Sequence, residues 1–258
     1  MSKTLNLNAD LGESFGAWRM GRDDQMLALV NSANVACGFH AGDPAVMRRT
    51  VALAKAHGVS IGAHPSYPDL QGFGRRRMDI AEAELEAMLI YQIGALQAIA
   101  KAEGTAVTHV KPHGALNNMA CVDAKLARCV ARAVRAVDEG LILLAPALSQ
   151  LAAAGHEAGL PVVEEVFADR AYADDGTLMP RALPGAVLHG PEQCAAHVMR
   201  MVETGALHSV NGVELPVRVQ SICVHGDDPQ AVAAAQAIGD ALRAAGWRLV
   251  PLPELAGG

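Results

Sequence analysis

Short apolar runs alternate with longer stretches of helical periodicity along the whole chain. Strand-like runs fall near residues 4–9, 33–37, 59–63, 107–111, 141–145, 162–167 and 217–224. Each is short, aliphatic and bounded by turn residues, the pattern of a buried strand. A further short run at 186–188 predicts an eighth or a side strand. The intervening stretches carry helix punctuation. Asp43-Pro44 reads as an N-cap followed by proline at the first helical position, with Gly58 closing that helix. Asp79-Ile80-Ala81-Glu82 has the form of a capping box. It opens a helix with Leu85, Met88, Leu89, Ile93, Leu96 and Ile99 on one face and Gly104 at its end. Asp123 caps the next, with Leu126, Val130, Ala133, Val134 and Val137 inward. Pro191 opens a helix closed by Gly205. Asp228-Pro229 opens the last, with Val232, Ile238 and Leu242 inward and Gly246 at its end, and the tail at 251–258 reads as loose.

Seven β-α units in unbroken alternation predict an α/β protein, either a parallel barrel of (β/α)7 type or a strongly twisted sheet. No linker or low-complexity tract interrupts them, so one catalytic domain over residues 1–258 is expected. Half the residues are hydrophobic but only 3% are aromatic, which suits close helix-on-sheet packing and not a platform for stacking bases or sugars. The net charge is −6 with both signs interspersed, and the longest basic cluster is Arg75-Arg76-Arg77. Nucleic acid and anionic membrane are therefore not expected partners. The five cysteines are scattered without a CxxC pair, and read as reduced thiols of a cytoplasmic protein. The N-terminus has no apolar signal core, and no run of about 18 uncharged apolar residues exists to span a membrane.

The ionisable residues cluster just after the strands: NADLGES at 8–14, ACGFHAGDP at 36–44, GAHPSYPD at 62–69, VKPHG at 110–114, EEVFADRAY at 164–172 and CVHGDDP at 223–229. Parallel strands bring such ends to one face, where α/β active sites lie. Asp10 and Glu13 are either base and orienter, or metal ligands, or loop acids capping the next helix. Gly12 and Gly16 beside them suggest a tight turn. His40 sits between Gly38 and Gly42 and is hard to explain structurally, whereas Asp43 is explained as a cap. His64, with Asp10 and His40, offers an Asp-His-His metal set, though no short ligand spacing supports it. His109 is mid-strand and reads as a core histidine. Lys111, costly to bury without purpose, suits an oxyanion or a carboxylate, and His113 an acid or base. Arg75 is either on a solvated loop or a carboxylate clamp, and Arg170 pairs with Asp169 or serves the site. Asn8, His225 and Asp227 complete the candidate substrate-binding set. There is no GxxxxGK[ST], no GxGxxG (GFGRRR does not fit it), no GxSxG and no kinase signature.

At these residues the chain resembles the LamB/YcsF family. The matching segments are NADLGESFG, NVACGFHAGDP, GAHPSYPDLQGFGRR, VKPHGAL, EVFADRAY with DGTLMPR, and CVHGDDP, spread over residues 6–229. The family pattern KPHGALYN departs here at Asn117-Asn118. The resemblance implies a (β/α)-type barrel related to deacetylase-like folds. It also implies ATP-dependent opening of 5-oxoproline to glutamate, together with two partner subunits, B and C. The missing phosphate loop agrees with ATP being handled on those partners. The resemblance makes Asp10 the expected base with Glu13 as its partner, and gives His40, His64 and His113 to proton handling. Lys111 falls to the oxyanion, and Arg75 or Arg170 to the substrate carboxylate. A divalent ion in this chain is left open. Two rivals stand beside this reading: a stand-alone metal hydrolase of the deacetylase type using Asp10, His40 and His64, and a non-catalytic ligand-binding subunit.

Overall fold

The computed structural model describes residues 3–224 and 230–256. Its strands are β1 (Thr4–Leu11), β2 (Ser32–Ala36), β3 (Ser60–His64), β4 (Val107–Val110), β5 (Ile142–Pro146), β6 (Val162–Phe167), β7 (Ala206–His208), β8 (Glu214–Pro216), β9 (Ser221–Val224) and β10 (Arg248–Leu249). Strands β1 to β6 and then β9 are neighbours in that order, and β9 pairs back with β1. All seven pairings are parallel, so a seven-stranded barrel closes with every C-terminal strand end on one rim. The helices are α1 (Asp23–Leu27), α2 (Pro44–Ala56), α3 (Glu82–Ala102), α4 (Gly114–Ala120), α5 (Ala124–Val137), α6 (Gln150–Glu157), α7 (Pro191–Thr204), α8 (Ala231–Ala244) and α9 (Leu252–Ala256).

The alternation of β1 decides what fills the barrel. Leu5, Leu7, Ala9 and Leu11 join the apolar layer under the helices. The intervening Asn6, Asn8 and Asp10 point the other way, into the barrel. There they meet polar partners. Asn6 Nδ2 donates to Ser32 Oγ and to the Val250 carbonyl, both at 2.8 Å, and Ser221 Oγ donates to Asn6 Oδ1 at 2.7 Å. The polar face of this strand therefore lies at the barrel axis, fully satisfied. His109 is a core histidine: it is fully buried, with Nε2 3.0 Å from Asn34 Oδ1 and Nδ1 2.9 Å from Thr108 Oγ1. Burial holds its pKa down at about 3.

Asp43 caps α2 as expected, accepting from the Ala45 and Val46 amides at 2.9 and 3.2 Å. Other expectations are corrected. Helix α3 starts at Glu82 with Ala81, not Asp79, at the N-cap and no side-chain cap, while Met78 and Ile80 before it pack against the core. The run at 186–188 makes only an isolated bridge between Val187 and Arg170. The run at 217–224 becomes strand only from Ser221, where its partners Asn6 and Glu165 begin, and Pro216 ends the antiparallel hairpin β7–β8. The tail is not loose as far as residue 256: Leu252 is fully buried against Ile142, Leu144 and Val163 and plugs the N-terminal end of the barrel. Asp228-Pro229 lies outside the described residues. Among the described residues no helix is long and apolar enough to cross a membrane.

Candidate active site

The C-terminal rim encloses a cavity of about 490 Å³ whose floor includes Asp10, Lys111 and Glu165. Lys111 follows β4, and its side chain runs back into the barrel until it is 2% exposed. Its Nζ lies 3.0 Å from Asp10 Oδ1, 3.2 Å from Glu165 Oε2, 3.0 Å from Cys223 Sγ and 3.4 Å from Asn8 Oδ1. Burial alone would pull the ammonium down, but Asp10 and then Cys223 and Glu165 hold its pKa well above the ordinary lysine value. Cys223 is fully buried, and burial raises its thiol well above the ordinary cysteine value while Lys111 opposes the shift. Burial also raises the Glu165 carboxyl; Lys111 opposes this and the Asp10 charge adds to it. Asn34, opposite Asp10 on β2, donates to Asp10 Oδ1 at 2.9 Å and to Asn8 Oδ1 at 2.8 Å, fixing the floor from the side.

Beside this centre three imidazoles pack around Glu13. His64, the last residue of β3, places Nε2 3.3 Å from Asp10 Oδ2 and donates Nδ1–H to the Lys111 carbonyl at 2.6 Å. His113 precedes α4 and donates Nε2–H to the Phe73 carbonyl at 2.8 Å, while its Nδ1 faces His64 Nε2 at 2.9 Å. The His40 ring stacks on His113, with centroids 3.8 Å apart, and its Nε2 is 3.3 Å from Glu13 Oε1. Burial drives His40 and His113 well below the ordinary imidazole range, and the neighbouring histidines push in the same direction. Glu13, His40, His64 and His113 each offer one ligand atom, all within 4.8 Å of one another, which makes them a possible metal-binding cluster.

Local sequence explains this placement. Gln92 on α3 is fully buried and grips the Ser66 backbone from both sides, accepting from its amide and donating to its carbonyl at 2.9 Å, which fixes the loop after His64. Gly74 has φ +65°, and a Cβ there would collide with Ser66 Oγ and stand 2.8 Å from His113 Cδ2. Only glycine lets this loop pass so close to the histidines. Phe73 beside it adopts φ +54° and presents its carbonyl to His113.

Arg75, Arg77, Arg170 and Arg181 line the cavity wall, with Asn117 and Asn118 on the α4 side. Arg170 is 5% exposed and donates to the Met179 and Ala186 carbonyls at 2.5 and 3.4 Å; burial, with the nearby Arg181 charge, lowers its pKa to about 10. The fold thus gathers Asp10, Glu13, His64, Arg75, Lys111, His113 and Arg170 around one cavity. Asn8 and His40 lie behind its surface: Asn8 is fully buried beneath the floor and donates to Ser221 Oγ at 2.8 Å and Glu165 Oε2 at 3.3 Å. His225 and Asp227 fall outside the described residues. Asn34, Gln92 and Cys223 have no role in the reading of the sequence, and Glu165 stands there only within the strand-end run at 164–172. Glu165 carried a signal in the Glu164-Glu165 doublet; a mid-strand asparagine and a mid-helix glutamine carry none.

A closed parallel barrel with buried cations, carboxylates and imidazoles converging on one rim cavity defines a (β/α)7 barrel of enzyme type. A sequence profile of the LamB/YcsF family matches residues 5–257. The chain belongs to the LamB/YcsF family. It is 61% identical over 251 residues to the 5-oxoprolinase A subunit of Azoarcus sp. (strain BH72), covering 97% of this chain and 98% of that one. The 5-oxoprolinase A subunit of Rhodopseudomonas palustris (strain BisB18) is 57% identical over 249 residues, covering 96% and 98%. Among solved structures, the lactam utilization protein of Thermus thermophilus superposes with a TM-score of 0.91 at 46% identity, covering 96% of this chain and 100% of that one. The catalytic domain of a peptidoglycan N-acetylglucosamine deacetylase from Eubacterium rectale shares the fold alone, with a TM-score of 0.53 at 15% identity.

Proposed function

We propose that this chain is the A subunit of an ATP-dependent 5-oxoprolinase, one catalytic domain that opens the lactam of 5-oxo-L-proline to L-glutamate in the cytoplasm. The observation that carries the reading is 61% identity across 97% of the chain to a protein named as the A subunit of 5-oxoprolinase. The site supports it: a small acid substrate finds guanidinium groups on the wall and a cation–carboxylate centre on the floor. ATP is consumed by the complex and held on partner subunits B and C, in keeping with the missing phosphate-loop motif in this sequence.

A five-membered lactam is a resonance-stabilised amide. Transfer of the ATP γ-phosphoryl group to its oxygen breaks that resonance and makes C5 electrophilic. One water then adds to C5 and gives its proton to Asp10, with Glu13 as second carboxylate. The C5–N bond breaks as Asp10 returns that proton to nitrogen, and a second water releases phosphate from the resulting acyl phosphate. Lys111 faces the developing negative charge, where a buried ammonium is worth far more than in water. Arg75 or Arg170 holds the substrate carboxylate.

The test is glutamate release from 5-oxoproline and ATP by this chain alone, by B and C alone, and by all three. Glutamate only from the full set is expected. Glutamate from B and C without this chain would overturn the reading, and release by this chain alone without ATP would point to a stand-alone amidohydrolase.

A further inference from the structure

The tautomers of His64 and His113 follow from their partners. A carbonyl oxygen only accepts, so His64 Nδ1 and His113 Nε2 both carry protons, given to Lys111 O at 2.6 Å and Phe73 O at 2.8 Å. In the neutral rings the remaining nitrogens, His64 Nε2 and His113 Nδ1, are lone pairs, and they face each other at 2.9 Å. Two lone pairs at that distance repel unless a proton or a cation lies between them. The Glu13 carboxylate stands on the same spot, with Oε1 3.6 Å from His113 Nδ1.

We propose that Glu13, His64 and His113 form a divalent transition-metal site opening into the cavity and taking Zn²⁺-like ions. Both histidines show the outer-shell arrangement of metal ligands, the second ring nitrogen donating to a fixed backbone carbonyl. Tetrahedral coordination with bonds of about 2.0–2.1 Å sets ligand atoms roughly 3.4 Å apart. Two of the three separations, 2.9 and 3.6 Å, bracket that value, and all the ligand atoms lie within 4.8 Å of one another, so closure of the Glu13 carboxylate on His64 completes the site. Two imidazoles and a carboxylate suit zinc, iron, cobalt or nickel better than magnesium or calcium. All three residues line the cavity, which leaves the fourth position to water or a substrate oxygen.

His40 belongs to the same cluster but is not a ligand. Its Nδ1 is buried with no hydrogen-bond partner. Binding an ion through Nε2 would put the proton on that Nδ1 with nothing to receive it. Donating Nε2–H to Glu13 Oε1 at 3.3 Å instead orients the carboxylate, so His40 is a positioning residue. Asp10 is not part of the four-residue group either. The site therefore differs from the Asp10-His40-His64 set that the sequence suggests.

The experiment uses the full chain, stripped with chelator and titrated with Co²⁺, reading the visible d–d band and the stoichiometry, then displacement by Zn²⁺. One ion per chain is expected. Glu13→Gln and His113→Ala should weaken binding at least ~100-fold, whereas exposed His156→Ala should leave it unchanged. Circular dichroism of each variant without metal checks folding, and near-isosteric Glu13→Gln carries the test if His113→Ala does not fold. No stoichiometric ion on folded wild type, the outcome if a proton bridges the imidazoles, would overturn the proposal. So would undiminished binding by Glu13→Gln or equal loss in His156→Ala. The titration needs no lactam, ATP or partner, so its failure leaves the 5-oxoprolinase reading standing, and a silent glutamate assay leaves the metal site standing.

Discussion

Lys111→Met tests whether the buried charge centre is held together by its single cation. Lys111 Nζ is 3.0 Å from Asp10 and 3.2 Å from Glu165, and at an effective dielectric constant of about 20 each contact is worth roughly 5 kcal/mol gross. Burying the ammonium offsets much of this, so removal of one partner costs about 3–5 kcal/mol net. That is a large share of a total stability of about 5–15 kcal/mol. The loss also depends on pH. Without the lysine, two carboxylates no more than about 6 Å apart face each other in a dry barrel. Glu165, already raised from 4.5 by burial, rises further. A carboxyl whose folded pKa lies above its unfolded value contributes stability that is complete below the unfolded pKa and lost as pH rises through the folded one. The Lys111→Met defect should therefore be largest near pH 8 and shrink toward pH 5.5. Urea unfolding followed by circular dichroism reads it directly: with a slope of about 3 kcal/mol/M, the midpoint should fall by about 1–1.7 M at pH 8. Glu165→Gln added to Lys111→Met should recover part of the loss. A loss under about 1 kcal/mol, the same defect at both pH values, or no recovery in the double variant would refute the reasoning.

Asp10→Asn keeps the shape of the floor and leaves Lys111 paired with Glu165, so it should stay folded while glutamate release by the complex drops at least ~10²-fold; near-normal release would sink Asp10 as the base. Gly74→Ala combines a left-handed backbone with a collision against Ser66 Oγ and a 2.8 Å approach to His113, whereas Gly246→Ala, at φ +82°, meets open space. Thermal unfolding should show Gly74→Ala costing at least ~1 kcal/mol more than Gly246→Ala, and equal costs would contradict the close approach to His113. Arg75→Ala removes one guanidinium from the cavity wall and should raise KM for 5-oxoproline ~10-fold or more with a smaller change in kcat; an unchanged KM would remove Arg75 from substrate binding.

The chain's own order of residues determined the architecture and the address of the site. Alternating apolar runs and helix punctuation gave the β-α repeats, and the Asp43 cap is a local contact that local sequence specifies. Because all seven barrel strands are parallel, the strand-end Asp10, Glu13, His64, Lys111 and His113 meet on one rim. Tertiary structure alone decided which of them touch and how. Glu164 and Glu165 are equivalent in sequence; strand parity turns Glu165 into the barrel to reach Lys111 and leaves Glu164 half-buried. His40 and His64 both follow strands near glycines, yet only His64 finds a carbonyl for its second nitrogen, and that contact lies 47 residues away. Asn34 and Gln92 become structural clamps only because β1 and the Ser66 loop arrive beside them. The tail becomes a plug only because the barrel leaves an apolar mouth around Ile142, Leu144 and Val163 for Leu252 to fill. Periodicity is a property of neighbours along the chain and survives in the sequence. Tautomer, ion pairing and closure of the barrel depend on distances between remote residues, which only the packed chain sets.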